Sequence, residues 1–139
     1  MEIKLITGFA VITKYPDASA ALYQGTLALP LKTQEGYCYM DKFPGANHFG
    51  IWPLKMAAQS CFGQDEWPES IPVPTATIEF ELTDSDALES AVLEMKATGQ
   101  DFIHEPRTEP WGQMVARFIS PEGLLIGLTY TPWLKERTE

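Results

Sequence analysis

Basic residues are scarce in this chain. Ten Lys and Arg stand against nineteen Asp and Glu, a net charge of −9 over 139 residues. Neutralising phosphates requires clustered cations, so nucleic acid is not an expected partner. Cysteine is nearly absent: Cys38 and Cys61 cannot build a structural zinc site alone, match no dithiol spacing, and have no evident base beside them. Cys38, between Tyr37 and Tyr39, reads as a small buried hydrophobe in a strand. No apolar run approaches the ~20 residues that span a bilayer. The opening Met1-Glu2-Ile3-Lys4-Leu5 lacks a secretory pattern, so a cytoplasmic protein without membrane contact is expected. Gly-rich and Gly-Lys-Ser/Thr phosphate cradles are missing as well. What is present is ordinary: 45% hydrophobic and 21% charged residues, enough to fold as one domain without staples.

Two stretches share one order of elements. Leu5 to Lys14 reads as a strand, followed by Tyr15-Pro16-Asp17-Ala18-Ser19, where Asp17 is the expected helix cap. Leu31 to Gln34, Tyr37 to Lys42 and His48 to Leu54 then read as strands, with a turn over Phe43 to Asn47. In the second half, Thr75 to Leu82 alternates polar and apolar residues as a one-sided strand does. Asp84 opens a helix along which Leu88, Ala91, Val92 and Met95 recur, and Gly99 closes it. Phe102 to Glu105, Gln113 to Ile119 and Leu124 to Tyr130 complete the set, with a turn at Ser120-Pro121-Glu122-Gly123. The expectation is an α+β fold: two paired βαβββ modules in a curled mixed sheet around a cleft. Module one covers about 1–62, a Pro-rich acidic linker about 63–74, and module two about 75–134, within a single domain over 1–139.

The run Glu109-Pro110-Trp111-Gly112-Gln113 to Ser120-Pro121-Glu122-Gly123-Leu124 resembles the closing segment of the glyoxalase/bleomycin resistance/dioxygenase superfamily, also called vicinal oxygen chelate proteins. Leu22-Tyr23 with Leu27-Ala28-Leu29-Pro30 is similar to the end of that family's first helix. Ile78-Glu79-Phe80-Glu81-Leu82 with Asp84 and Asp86 is similar to the opening of its second module. The resemblance implies two βαβββ modules and, usually, a homodimer. It also implies metal-ligand positions at about Gly8, Gly50, Thr77 and Gly127. Glycine has no donor atom and Thr is a poor ligand for zinc, nickel or iron. A slip of alignment that brought in His48 or Glu79 would still not rebuild a closed site. The expectation is therefore a site without metal or other cofactor, in a protein that binds a small organic molecule as bleomycin-resistance proteins do. The alternative is a metal-dependent lyase or isomerase of the glyoxalase type, or a dioxygenase.

The candidate ligand-binding residues are His48, Trp52, Thr77, Glu79 and Trp111. Thr77, Glu79 and Glu81 share strand parity, so all three face one side; outside a cleft the two carboxylates would simply be solvated. The plainer reading of His48 is a surface or capping histidine. Among Phe49, Trp52, Trp111, Tyr130 and Trp133, two or three at most are expected to line a pocket, the rest being core. Arg117 is expected to pair with a nearby carboxylate. His104-Glu105-Pro106 cannot be a helical metal motif because Pro106 would break the helix, and Asp84-Ser85-Asp86 lacks the glycine and distal glutamate of a calcium loop. The ligand that suits an acidic aromatic cleft is cationic or aromatic.

Overall fold

Residues 1–134 are described in the computed structural model; positions 135–139 of the expected domain lie outside the described residues. The strands are β1 (Leu5–Thr13), β2 (Lys32–Gln34), β3 (Tyr37–Phe43), β4 (Ala46–Pro53), β5 (Ala76–Glu81), β6 (Arg107–Thr108), β7 (Met114–Ile119) and β8 (Leu125–Tyr130). The helices are α1 (Pro16–Ala20), which continues as a π-helical turn over Ala21–Thr26, α2 (Leu54–Phe62) and α3 (Ser85–Ala97). One eight-stranded mixed sheet runs β2-β3-β4-β1-β5-β8-β7-β6. Its two halves mirror each other: β1 runs parallel to β4, β5 parallel to β8, and β1 meets β5 antiparallel at the centre. The strand–helix–three-strand order thus occurs twice in an α+β fold.

Alternation sorts the side chains between the two faces. On the outer face α3 packs Leu88, Ala91 and Val92 on Ala116, Ile126 and Leu128. Its start is capped as expected, Ala87 N–H donating to Asp84 Oδ1 at 2.8 Å. On the same face α1 covers Met40, Ile51 and Val11, and half-buried Cys38 joins this group. No helix among the described residues is long and apolar enough to cross a membrane.

Four local expectations change. Asp17 is not a cap: α1 begins at Pro16, and Thr13 Oγ1 instead accepts from Tyr15 N–H and Ser19 Oγ, each at 2.9 Å. The turn shrinks to Pro44-Gly45, because β3 runs to Phe43 and β4 begins at Ala46. Phe102 to Glu105 is not a strand; Ile103 N–H reaches the Arg117 carbonyl, but the paired segment is Arg107–Thr108. Finally, α2 follows β4 directly. It closes on Gly63, whose φ of 72° is the left-handed conformation that ends helices. Its buried residues Ala57, Ala58 and Cys61 pack with Ile12, Leu125 and Trp67, plugging one end of the inner face. Trp67, in the segment 63–74, is itself buried and donates its indole N–H to the Pro72 carbonyl at 3.0 Å.

Candidate functional site

The remaining inner face encloses a cleft of about 650 Å³, within the ~300–1,000 Å³ range of small-molecule pockets. His48, Trp52, Thr77, Glu79 and Trp111 all line it. Trp133 does too, whereas Phe49 packs against the outer-face cluster and Tyr130 beside α3. Trp111 is half-exposed at the rim. It is held there by a turn in which Gly112 N–H donates to the Glu109 carbonyl at 2.8 Å and Gly112 adopts a φ of 94°, a conformation that favours glycine. The Trp111 indole N–H donates to Gln113 Oε1 at 3.0 Å, and Gln113 Nε2 donates to Thr131 Oγ1 at 2.8 Å.

The glycines of the floor are gaps occupied by neighbouring side chains. A Cβ at Gly50 would fall on the Tyr37 hydroxyl, with the ring Cζ at 2.5 Å. A Cβ at Gly8 would meet His48 Cβ at 3.1 Å, and one at Gly127 would meet Glu79 Cγ at 3.2 Å. Sheet register explains this: Glu79 pairs with Gly8 on one side and Gly127 on the other, and Gly127 pairs with Arg117. Removing side chains from these strands lets polar groups from adjacent strands lie across them.

Those groups form a chain. His48 on β4 is register partner of Asp41 on β3; its Nδ1 lies 2.8 Å from Asp41 Oδ1 and its Nε2 2.6 Å from the Tyr37 hydroxyl. In the neutral imidazole this fixes the tautomer: Nδ1–H donates to Asp41, and Nε2 accepts the Tyr37 proton. Tyr39 stacks on both rings, 5.5 Å from Tyr37 and 5.8 Å from His48. Burial pushes the Tyr37 phenol well above its usual range, with the Glu79 and Asp41 charges adding to the effect. His48 is therefore part of a cleft network and not a capping residue. Tyr37 and Asp41 were not singled out from sequence; the alternation Tyr37, Tyr39, Asp41 along one strand face was the available signal.

On the other half, burial raises the Glu79 carboxyl above the usual carboxylate range. The Arg117 and His48 charges and a Gln113 hydrogen bond oppose the shift, and Glu81 adds to it. Glu81 is not a cleft carboxylate: it is 5% exposed and accepts from Thr7 Oγ1 at 2.9 Å, Thr129 Oγ1 at 2.8 Å and Thr131 N–H at 2.5 Å. Arg117 pairs with Glu109 at 2.7 Å, as expected, and lies 5.5 Å over the Trp52 ring. It also donates to His104 Nε2 at 3.2 Å. Burial holds His104 below its usual range, with the Arg117 and Arg107 charges acting in the same direction, while its bond to the Glu105 carbonyl opposes them. With Arg117 committed to Glu109, the acidic side chains along the cavity are Glu35, Glu79 and Asp41, the last paired with His48.

Residues that would hold a metal do not fit one. The positions implied by resemblance supply three glycines and Thr77, and no group of three or more His, Cys, Asp or Glu converges among the described residues. Asp41 and Tyr37 already occupy both nitrogens of His48.

Solved structures share the fold. A glyoxalase/bleomycin resistance protein/dioxygenase superfamily member from Vibrio splendidus superposes with a TM-score of 0.58 at 14% identity, covering 91% of this chain and 100% of that one. A methylmalonyl-CoA epimerase variant from Streptomyces coelicolor, in complex with 2-nitronate-propionyl-CoA, gives 0.52 at 12% identity, covering 94% and 96%. A Mn(II)-bound glyoxalase from Novosphingobium aromaticivorans gives 0.58 at 12% identity, covering 90% of this chain and 37% of that one. No curated protein matches the sequence. The profile of the Glyoxalase/Bleomycin resistance protein/Dioxygenase superfamily matches residues 6–128, and the chain belongs to that superfamily.

Proposed function

We propose that the chain binds a small organic molecule in this cleft without a metal, and that the ligand is aromatic and cationic. One observation carries the reading: the space above Gly8, Gly50 and Gly127 is taken by His48, Tyr37 and Glu79, so the floor presents a hydrogen-bonded polar surface in place of convergent metal donors. The Trp52, Trp111 and Trp133 rings supply area for a flat ligand, and the acidic side chains Glu35, Asp41 and Glu79 along the lining favour a positive charge. The protein acts as a single domain that pairs into a homodimer, so light scattering reports about twice the 15.5 kDa chain mass; a monomer at micromolar concentration contradicts the pairing.

The binding test uses one skeleton in three charge states, a biphenyl amidine, amide and carboxylate, titrated by calorimetry into chelator-treated protein. Affinity is expected to fall from amidine to amide to carboxylate. Glu79→Gln narrows the difference, most at low salt where screening is weakest. Preference for the carboxylate, or no saturable binding of any probe, overturns the reading.

A further inference from the structure

We propose that Tyr37 selects a ligand whose cationic group carries N–H bonds, an amidinium or a primary or secondary ammonium, because the Asp41–His48–Tyr37 chain presents the Tyr37 oxygen to the cleft as an acceptor only. The proposal rests on the binding reading above and narrows the class of ligand. Asp41 sets the polarity of the chain. A carboxylate accepts and cannot donate, so its 2.8 Å contact with His48 Nδ1 requires an N–H there. In the neutral ring Nε2 is then the acceptor, and the Tyr37 hydroxyl, 2.6 Å away, spends its one proton on it. What the Tyr37 oxygen has left is lone-pair capacity. Among the described residues His48 is its one hydrogen-bond partner, so that capacity is unused.

The oxygen belongs to the cavity wall. Tyr37 is among the lining residues, and its hydroxyl lies over Gly50, where a Cβ would fall on it. It is also held in place: the Tyr37, Tyr39 and His48 rings lie within 20° of parallel, their centres 5.5, 5.7 and 5.8 Å apart. Burial keeps the phenol protonated, and the Glu79 and Asp41 charges act on it in the same direction. A donor that brings positive charge to this point is therefore favoured over a neutral one. A quaternary ammonium meets the same field but leaves the acceptor unused. A ketone sets its own lone pairs against those of Tyr37. Asparagine in place of Asp41 releases the tautomer, as it does in a catalytic triad. Its amide N–H donates to Nδ1, the ring proton moves to Nε2, and the Tyr37 hydroxyl turns its own proton toward the cleft.

The test titrates three biphenyl probes into chelator-treated protein by calorimetry: the amidine, the trimethylammonium, which keeps the charge without an N–H, and the methyl ketone, which only accepts. The parent should bind the amidine ahead of the trimethylammonium on the order of 10-fold, the worth of one hydrogen bond to a charged group, with the ketone last. Tyr37→Phe should erase that ratio by weakening the amidine alone. Asp41→Asn, which reads the same polarity should Tyr37→Phe not fold, should weaken both cations through the lost charge and bring their ratio near one. In that variant the ketone should bind several-fold more tightly than in the parent. A role in folding or cleft shape alone would weaken all three probes together and would not improve the ketone. Equal binding of the two cations by the parent, or a ratio that survives both substitutions, overturns selection by Tyr37 and leaves the binding reading standing. A ketone unimproved in Asp41→Asn overturns the assigned polarity. No saturable binding of either cation overturns both readings.

Discussion

A single methyl group added at Gly50 has to displace Tyr37. The new Cβ would fall on the phenol oxygen, with Cζ at 2.5 Å and Cε1 at 2.8 Å, and the phenol is held in place by His48 and by stacking on Tyr39. Forcing an extra carbon into such a site costs about 1–3 kcal/mol, and losing the Tyr37–His48 hydrogen bond adds about 1 kcal/mol. Gly50 lies in β4 without a positive φ, so the methyl strains no backbone and by itself stabilises by about 0.4–1 kcal/mol through the unfolded chain. The net is a destabilisation of about 2 kcal/mol. At this chain length, 139 residues, each kcal/mol moves the melting temperature roughly 3–4 °C, so Gly50→Ala should melt about 5–10 °C lower. Calorimetry of the four proteins of a double-mutant cycle with Tyr37→Ala isolates the cause. In the Tyr37→Ala background, Gly50→Ala should be neutral or stabilising. If Gly50→Ala melts with the parent, or costs the same in both backgrounds, Tyr37 does not occupy the gap.

Three further outcomes follow from the buried charges and the buried thiol. The folded state holds the Glu79 proton more tightly than the unfolded chain, so that contribution to stability is full below the ordinary carboxylate range and is lost as pH rises through the raised folded value. Glu79→Gln should therefore melt above the parent at pH ~8, with the difference closing by pH ~4; a pH-independent or reversed difference refutes this. Arg117→Met leaves Glu109, only 6% exposed, with Arg107 at 3.5 Å as its remaining cation, and should cost about 3 kcal/mol; Glu109→Gln added to it should recover part of the loss in chemical denaturation, and no recovery would mean the pair is not coupled. Burial pushes the Cys61 thiol up to about 11, so peptide mapping after Ellman's reagent at pH ~8 should find it unlabelled until the protein is denatured.

The fold was legible where local chemistry and periodicity agree. Thr75 to Leu82 and the Asp84-capped helix announce themselves by alternation and by a capping side chain, and both lie where the sequence puts them. Helix α2 does not: its N-cap is Pro53 with no side-chain cap bond, and what holds it is burial of Ala57, Ala58 and Cys61 against β1, β8 and Trp67. Phe102 and Ile103 look like a strand because they are apolar. Phe102 instead packs edge-on against Phe118, 5.2 Å between ring centres.

In the site, strand parity was enough to place Thr77 and Glu79 on the cleft, but it could not distinguish Glu79 from Glu81. That distinction is made by Thr7, Thr129 and Thr131, which saturate Glu81 and come from the extra residue where β1 slips register against β5, from the β8 residue opposite Glu81 and from just beyond β8. The Asp41–His48–Tyr37 chain was illegible for a similar reason. It depends on a hairpin register that sets Asp41 opposite His48 and on a glycine on the next strand, relations between residues that no single segment displays.

Thermal melting of chelator-treated protein, with and without near-stoichiometric zinc, nickel, manganese or ferrous iron, tests metal-free action most directly, because a metal bound to the native state alone raises its stability by mass action. With Gly8, Gly50 and Gly127 offering no donors and His48 bonded through both nitrogens, the melting temperature should stay within about 1 °C across all conditions, a shift worth only a few tenths of a kcal/mol. A rise of several degrees at near-stoichiometric metal, abolished by His48→Ala, would contradict that account and put a metal-dependent lyase, isomerase or dioxygenase in its place.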